Sequence, residues 1–313
     1  MKTETPWDVV IVGGATAGLS AALILSRARR RVLVLDAGNP RNRFAPHMHG
    51  VLSRDGYSPL DLVADGRREV RAADGVIETA TVTGATRLAG GGFELTTDAG
   101  HSIRTRRIIV ATGIRDELPN IAGLTEHWGR GVVACPYCDG FESRGKRIGV
   151  LLGSPLVHKA HLIRAYSETV TVLTALAGTL DEGDLRALAA RGIRVDDRPI
   201  SHVTSDGDTL TGIAFTDGST LTLDTIFVDP DMVPLDDLLR QLEVDLVDTP
   251  MGVWTSVDAT FQSSEPGVYA VGSVANPGAL VPVAAAAGVT AATAINTELV
   301  MQDVAEAVAG LSA

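Results

Sequence analysis

Cys135 and Cys138 bracket Pro136 and Tyr137 in a C-x-x-C run that continues at once with Asp139 and Gly140. Two thiols at this spacing can close a small disulfide, and the motif lowers the pKa of one thiol, so that a thiolate is available at neutral pH. A carboxyl directly after the second thiol is placed to take a proton from that sulfur or return it. These are the 2 cysteines of the chain, and no second C-x-x-C exists. Three readings stand: a redox dithiol, an idle thiol pair, and half of a zinc site. Zinc takes about four ligands, and His47 and His49 are the residues that would complete the set. His158 and His161 lie three apart on a predicted helix and read as capping or surface residues rather than metal ligands.

A different chemistry is written into Gly13-Gly14-Ala15-Thr16-Ala17-Gly18. Glycines at a strand-to-helix turn let the backbone approach a pyrophosphate, whose charge the helix N-terminus favours. Gly13 and Gly18 hold the first and third fingerprint positions and Ala15 the middle one. Asp36 follows Gly13 by 23 residues, where a carboxylate accepts hydrogen bonds from an adenosine ribose. The corresponding later positions, Leu151, Gly153 and Leu156, keep only the middle glycine, and the chain beyond them reads Thr174-Ala175-Leu176, with neither an acid nor an arginine cluster. A nucleotide fold retained without its nucleotide is the reading favoured there over a working site.

These residues need elements to hold them. The β-branched run Asp8–Val12, the glycine turn, an Ala-rich stretch of helical length and the run Val32–Leu35 ending at Asp36 predict strand, turn, helix and parallel strand. A second such unit is predicted from Arg147–Leu152, a turn at Gly153–Pro155, a helix over Val157–Tyr166 and a strand over Thr169–Leu173. After each comes a small β meander: Glu78–Leu88 with Gly92–Thr97, and later His202–Ser205, Leu210–Phe215 and Thr220–Leu223. Near the C-terminus, Gly267–Gly272 reads as a strand and Ala284–Val300 as part of a long helix. His49-Gly50 and Arg54-Asp55-Gly56 fall in a polar loop that either lines a flavin or substrate or is an ordinary connection.

With 313 residues, 45% of them hydrophobic, the chain suits about two domains. A formal net charge of -11 argues against a nucleic-acid surface, which needs clustered Lys and Arg. The basic run Arg27–Arg31 reads as a solvated helix end. No uninterrupted apolar run approaches the length of a membrane span, and the opening residues lack a signal-peptide plan, so a cytoplasmic protein with no membrane partner is expected.

Together the GGATAG turn with Asp36, His49–Gly56 (HGVLSRDG), Val110–Gly113 (VATG), Cys135–Gly140 (CPYCDG) and Val271–Gly278 (VGSVANPG) resemble the low-molecular-weight thioredoxin-reductase-like flavoenzymes. These landmarks span nearly the whole chain. CPYCDGFE with a poor second nucleotide turn is most similar to the dithiol oxidases that close the disulfides of holomycin and gliotoxin. The resemblance implies an α/β fold of two Rossmann-like domains, the second inserted into a discontinuous first: an FAD-binding domain at 1–118 and 246–313, and a pyridine-nucleotide-type domain at 119–245.

The same resemblance implies FAD, a homodimer, a small-molecule dithiol substrate, molecular oxygen as acceptor, a place in antibiotic biosynthesis, and no metal. It makes Cys135, Cys138 and Asp139 catalytic, with Cys138 against the flavin and Cys135 exchanging with substrate. Flavin contacts fall on Gly13, Gly14, Ala15, Ala17 and Gly18, on Asp36 and Ala37, and on His49. Further contacts fall on Ala111, Thr112 and Gly113, and on Gly272, Ser273, Leu280 and Val281. Ser273 stands where the family has an acid and Leu280 where it has a glutamine; a serine hydroxyl still hydrogen-bonds a ribityl oxygen. The alternatives are an NADPH- or ferredoxin-dependent thioredoxin reductase and a non-catalytic flavin-binding redox sensor.

Overall fold

The apolar run Trp7–Val12 is an inner strand of a seven-stranded sheet. The computed structural model describes residues 6–311, and the chain divides into two units. Among the described residues, the first contains 6–41, Leu60–Arg115 and 233–311; the second contains Asn42–Pro59 and Asp116–Met232.

In the first unit the sheet runs Val76–Thr79, Val32–Asp36, Trp7–Val12, Ser102–Val110, Phe93–Thr97 and Val82–Arg87, with Val268–Ala270 added beside Ser102–Val110. Val9, Val10 and Ile11 are fully buried. A strand covered on both faces must be apolar at every position, which is why this run does not alternate. One face packs on the helices Thr16–Arg27 and Val281–Gly310, and the other on Leu238, Leu239 and Val244. Burying a Val, Leu or Ile side chain contributes roughly 1.5–3 kcal/mol. The two helices close together through Gly288, where a Cβ would stand 2.1 Å from Ala17 O.

Val281–Gly310 has 30 residues and, by length and composition, is apolar enough to cross a membrane. Its longer reach than the predicted stretch reflects a C-terminal continuation through Met301 and Val304. Ala287, Ala291, Ile295 and Leu299 bury one stripe in the first unit's core, which accounts for that part of its apolar character. The basic run Arg27–Arg31 is the solvated helix end read in the sequence at Arg27, Arg29 and Arg31, which are exposed, while Arg30 is half-buried. Arg30 donates to Asn296 and Asp303 at 2.8 and 2.7 Å, tying the turn to the long helix.

Glu78–Leu88 is not one hairpin strand. Val76–Thr79 pairs in parallel with Val32–Asp36, and only Val82–Arg87 pairs antiparallel with Phe93–Thr97. The break falls where Ala80 N–H still donates to Asp36 O, so the first segment is claimed by a long-range sheet edge that local alternation does not reveal.

The second unit centres on a five-stranded parallel sheet in the order Arg194–Asp196, Val170–Leu173, Ile148–Leu151, Thr225–Val228, Val132–Val133. A three-stranded antiparallel sheet, Ile200–Asp206, Thr209–Phe215 and Thr220–Thr222, packs its Val203, Ile213 and Phe215 against one face of it. The helix read over Val157–Tyr166 is shorter, His158–Ile163. The α/β, doubly nucleotide-type architecture expected from the sequence is the observed one.

Candidate functional site

In the first unit the glycine turn has no room for side chains. Gly13 has φ +107°, and a Cβ there would lie 2.3 Å from Ala111 O; one on Gly14 would lie 2.7 Å from Asp36 Cγ, and one on Gly18 2.0 Å from Gly13 O. The turn ends in Ala15, the N-cap of Thr16–Arg27, and among the described residues no side chain caps that helix and no acid lies in its first turn. Its first N–H groups and the positive end of its dipole are thus left for an anion.

The late glycine turn adds to this cradle. Gly272 has φ +74°, and a Cβ on it would meet Ala17 Cβ at 2.9 Å and Ala284 Cβ at 3.9 Å, so this backbone lies between the first turns of both long helices. Ser273 follows in the same 3-10 turn, half-buried. Leu280 is the N-cap of Val281–Gly310; neither it nor any other described side chain caps that helix, and Val281 opens its first turn. Ala111 N–H donates to Val12 O at 2.7 Å, Thr112 Oγ1 donates to Leu235 O at 2.6 Å, and Gly113, at φ +74°, accepts from Leu235 N–H.

Asp36 is buried at the end of its strand, where Oδ1 accepts from Gly14 N–H at 3.0 Å and Gly38 N–H at 3.2 Å. Ala37, next to it, is exposed. Oδ2 pairs with Arg67, a residue that sequence reading did not single out. Arg67 Nε is buried and has no hydrogen-bond partner among the described residues. Nothing in the run around Arg67 marks it, because the pairing spans 31 residues and depends on how Pro59–Ala72 packs. A backbone cradle without Cβ atoms, two helix N-termini lacking side-chain caps and a buried carboxylate at the strand end fit the pyrophosphate and adenosine ribose of FAD.

In the second unit Cys135 and Cys138 form a disulfide, with Cα atoms 5.2 Å apart. The residues between them make a single helical turn, Pro136–Asp139, with Cys135 as N-cap: its Sγ accepts from Cys138 N–H at 3.1 Å, and its carbonyl accepts from Asp139 N–H at 3.1 Å. Pro136 presets the first helical φ and has no N–H to leave unpaired. Gly140 closes the turn, and a Cβ there would lie 2.5 Å from Tyr166 Cε2.

Desolvation pushes the Asp139 carboxyl up to about 6; the like charge of Glu142 raises it further, while His49 opposes both. His49 belongs to this unit, on a loop closed by the Met48–Tyr57 bridge and by Gly50 N–H donating to Asp55 Oδ1 at 2.8 Å. Its Nδ1 stands 3.6 Å from Asp55 Oδ2 and 3.7 Å from Glu142 Oε1. The Gly50 N–H, ahead of His49, holds the Asp55 carboxyl below its ordinary range. Glu142 was not read from the sequence; its signal was its place four residues after Cys138 on the run leaving the turn.

His47 Nδ1 lies 3.0 Å from Gly56 O, and His161 Nδ1 is buried without a hydrogen-bond partner among the described residues. No group of three or more His, Cys, Asp and Glu among the described residues could hold a metal ion.

At the second nucleotide-type turn a Cβ on Gly153 would make only ordinary contact, 3.5 Å from Asp229 O. Lys159 crosses to that strand end, donating to Val228 O at 2.8 Å and pairing with Asp229. Thr174 N–H is bound to Asp196 O, and Leu176 is exposed where a ribose-binding acid would stand.

Comparison with known proteins gives a consistent result. The profile of the pyridine nucleotide-disulphide oxidoreductases matches residues 7–288. Thioredoxin reductase sirT of Leptosphaeria maculans is 31% identical over 316 residues, covering 96% of this chain and 96% of its own. Thioredoxin reductase tcpT of Claviceps purpurea is 34% identical over 233 residues, covering 70% of this chain and 72% of its own. Among solved structures, HlmI superposes with a TM-score of 0.93 at 39% identity, covering 100% of this chain and 98% of that one. An oxidoreductase from Agrobacterium tumefaciens does so with a TM-score of 0.89 at 35% identity, covering 95% and 99%.

Proposed function

This chain belongs to the pyridine nucleotide-disulphide oxidoreductase family, and we propose that within it the protein is an FAD-dependent dithiol oxidase that closes a disulfide in a small molecule. It is a flavin disulfide oxidoreductase with FAD as cofactor. On the proposed reading the FAD-binding domain is discontinuous, 1–118 with 246–313, and the domain carrying the cysteines is 119–245. The observation that carries the reading is the Cys135–Cys138 disulfide on one helical turn, with Asp139 beside it pushed up to about 6.

The chemistry follows from those groups. One substrate thiol loses its proton to Asp139 and attacks Cys135 Sγ; the Cys135–Cys138 bond breaks and its electron pair leaves on Cys138 Sγ. The second substrate thiolate attacks the substrate sulfur of the mixed disulfide, forming the product disulfide and releasing Cys135 as thiolate. When bound, FAD supplies the two-electron acceptor that returns the dithiol to the disulfide, with molecular oxygen as terminal acceptor and hydrogen peroxide as its product. Gly13, Gly14, Ala15, Ala17, Gly18 and Asp36 would hold the adenylate and pyrophosphate. Ala37, His49, Ala111, Thr112, Gly113, Gly272, Ser273, Leu280 and Val281 complete the proposed contacts.

The second nucleotide-type turn supports oxygen rather than a nicotinamide as partner. Lys159 is bound to Val228 and Asp229 there, and the strand end bears Thr174 and Leu176 in place of an acid. The other reading, a thioredoxin reductase fed by NADPH or ferredoxin, is favoured by the names of the relatives sirT and tcpT. A homodimer is part of the proposal, supported by Val300, Met301 and Val304 exposed along the long helix. A cytoplasmic location also belongs to the reading, since a C-x-x-C pair in a reducing compartment is more often catalytic than structural.

The test is anaerobic flavin absorbance with NADPH and, separately, with small dithiols, followed by admission of oxygen. Bleaching by dithiols alone, with colour and peroxide appearing on oxygen, is the expected result. Rapid bleaching by NADPH would make the protein a thioredoxin-type reductase, and stable flavin without any thiol-dependent oxygen uptake would make it a redox sensor.

A further inference from the structure

Away from the glycine turn, the first unit holds a cavity of about 520 Å³, the size of a small-molecule site. It lies along the first half of Ser102–Val110, where Thr105 stands opposite Phe93; the glycine turn follows Val12, which stands opposite Val110. The run from Thr105 to Val110 separates the two places by roughly 17 Å of strand. Arg87, Phe93, Arg106, Arg107, Gln262 and Glu298 line the cavity. Gly267, at φ +87°, keeps its wall open: a Cβ there would lie 3.1 Å from Arg107 Cδ and 3.2 Å from Phe93 Cε2.

Each arginine is fixed by an acid. Arg87 pairs with Glu265 and donates to Pro266 O at 3.3 Å. Arg106 donates to Asp8 at 3.0 Å and to Asp303 at 2.8 Å. Arg107 donates to Glu298 at 3.2 Å and to Arg106 O at 3.0 Å. Glu298 also accepts from the Tyr269 hydroxyl and, at 3.4 Å, from Gln262. These bonds preorganise the guanidinium groups, which lowers the ordering cost of binding. They leave Arg87 Nη1, Arg106 Nε and Arg107 Nη2 without a hydrogen bond to any described residue. Of the four acids only Glu298 lines the cavity, so three guanidinium charges face one carboxylate.

We propose that this cavity binds a small organic phosphate monoester carrying a planar apolar group. A phosphate monoester brings close to two negative charges and three acceptor oxygens. The first number matches the excess of guanidinium over carboxylate on the wall, and the second matches the three N–H-bearing nitrogens that the protein leaves unused. Phe93 supplies the apolar contact, with Arg87 Cζ 5.7 Å from its ring centre. The site is separate from the proposed dithiol chemistry and does not depend on it.

Phenyl phosphate is the probe, titrated calorimetrically at about pH 8 into the FAD-loaded protein, so that the cofactor's own phosphates already fill the glycine turn. One molecule per chain should bind with a Kd below about 1 mM, and more weakly as salt rises. Phenol, with the ring but no phosphate, should not bind. Arg87→Gln and Arg107→Lys should each weaken binding about tenfold, the second because it keeps the charge and loses the forked donors. Arg186→Gln, on the exposed face of the helix Glu182–Ala190, changes the net charge as much as Arg87→Gln and should leave binding as it was. The Arg87 side chain is 53% exposed, so Arg87→Gln keeps the test decisive should Arg107→Lys fold poorly. No binding, phenol bound as tightly as phenyl phosphate, or an unchanged Kd in Arg87→Gln overturns the site. Equal weakening by Arg186→Gln overturns it too, since the attraction would then belong to the charge of the whole chain.

Discussion

Gly14 N–H donates to Asp36 Oδ1 at 3.0 Å, joining the glycine turn to the end of the neighbouring strand. The bond fixes the carboxylate of a residue 22 positions away against the turn, and the Arg67 guanidinium holds its other oxygen. One acid thus orders the turn and faces the proposed ribose site.

Asp36→Ala should therefore weaken FAD binding by about ten- to a hundredfold, the loss expected when a hydrogen bond to a charged group goes. Flavin fluorescence recovered on dilution measures it. Binding unchanged by the substitution would remove Asp36 from the cofactor site.

Cys138→Ser should leave FAD bound while abolishing flavin reduction by dithiols. Cys135→Ser should likewise block it, since either change prevents the protein disulfide from forming. Anaerobic absorbance with dithiothreitol reads both, and a Cys138→Ser protein that still bleaches would strip that thiol of its role.

Asp139 acts as a base only as its carboxylate. With the folded value pushed up to about 6, the rate of thiol deprotonation should climb as pH rises through about 6, and Asp139→Asn should flatten that limb and slow the step about 10²-fold. The sign for stability is opposite. A carboxyl raised above its ordinary value of 3.8 holds its proton more tightly when folded, so its contribution is lost as pH rises from about 4 through about 6. Asp139→Asn should accordingly stabilise the protein above that window, by up to roughly 3 kcal/mol. Chemical denaturation at pH values on either side of it provides the check; an equal effect of the substitution at both would contradict the buried carboxylate.

Gly140→Ala should destabilise by about 1–3 kcal/mol, because the new methyl would stand 2.3 Å from Pro136 O and 2.5 Å from Tyr166 Cε2 and the turn would have to shift. A lowered unfolding midpoint together with slower disulfide opening is the expected pair of results. A neutral substitution would mean that both the turn at Pro136 and the Tyr166 ring give way freely.

Local chemistry by itself determined much of this protein. Cys135, Cys138 and Asp139 lie within five residues, and Gly13 to Gly18 within six, so each cluster is bound together by the chain before any folding occurs. The apolar runs Val9–Val12 and Val32–Leu35 likewise announce buried parallel strands, because a strand covered on both faces favours apolar side chains at successive positions. Only the tertiary structure decided the rest. His49 meets Glu142 across 93 positions of sequence, and Arg67 meets Asp36 across 31. Glu78 and Thr79, expected in a hairpin strand, belong instead to Val76–Thr79 at the edge beside Val32–Asp36. These partners are set by how helices, loops and sheet edges pack, and packing energy is shared among many residues, so no single local run carries its signature.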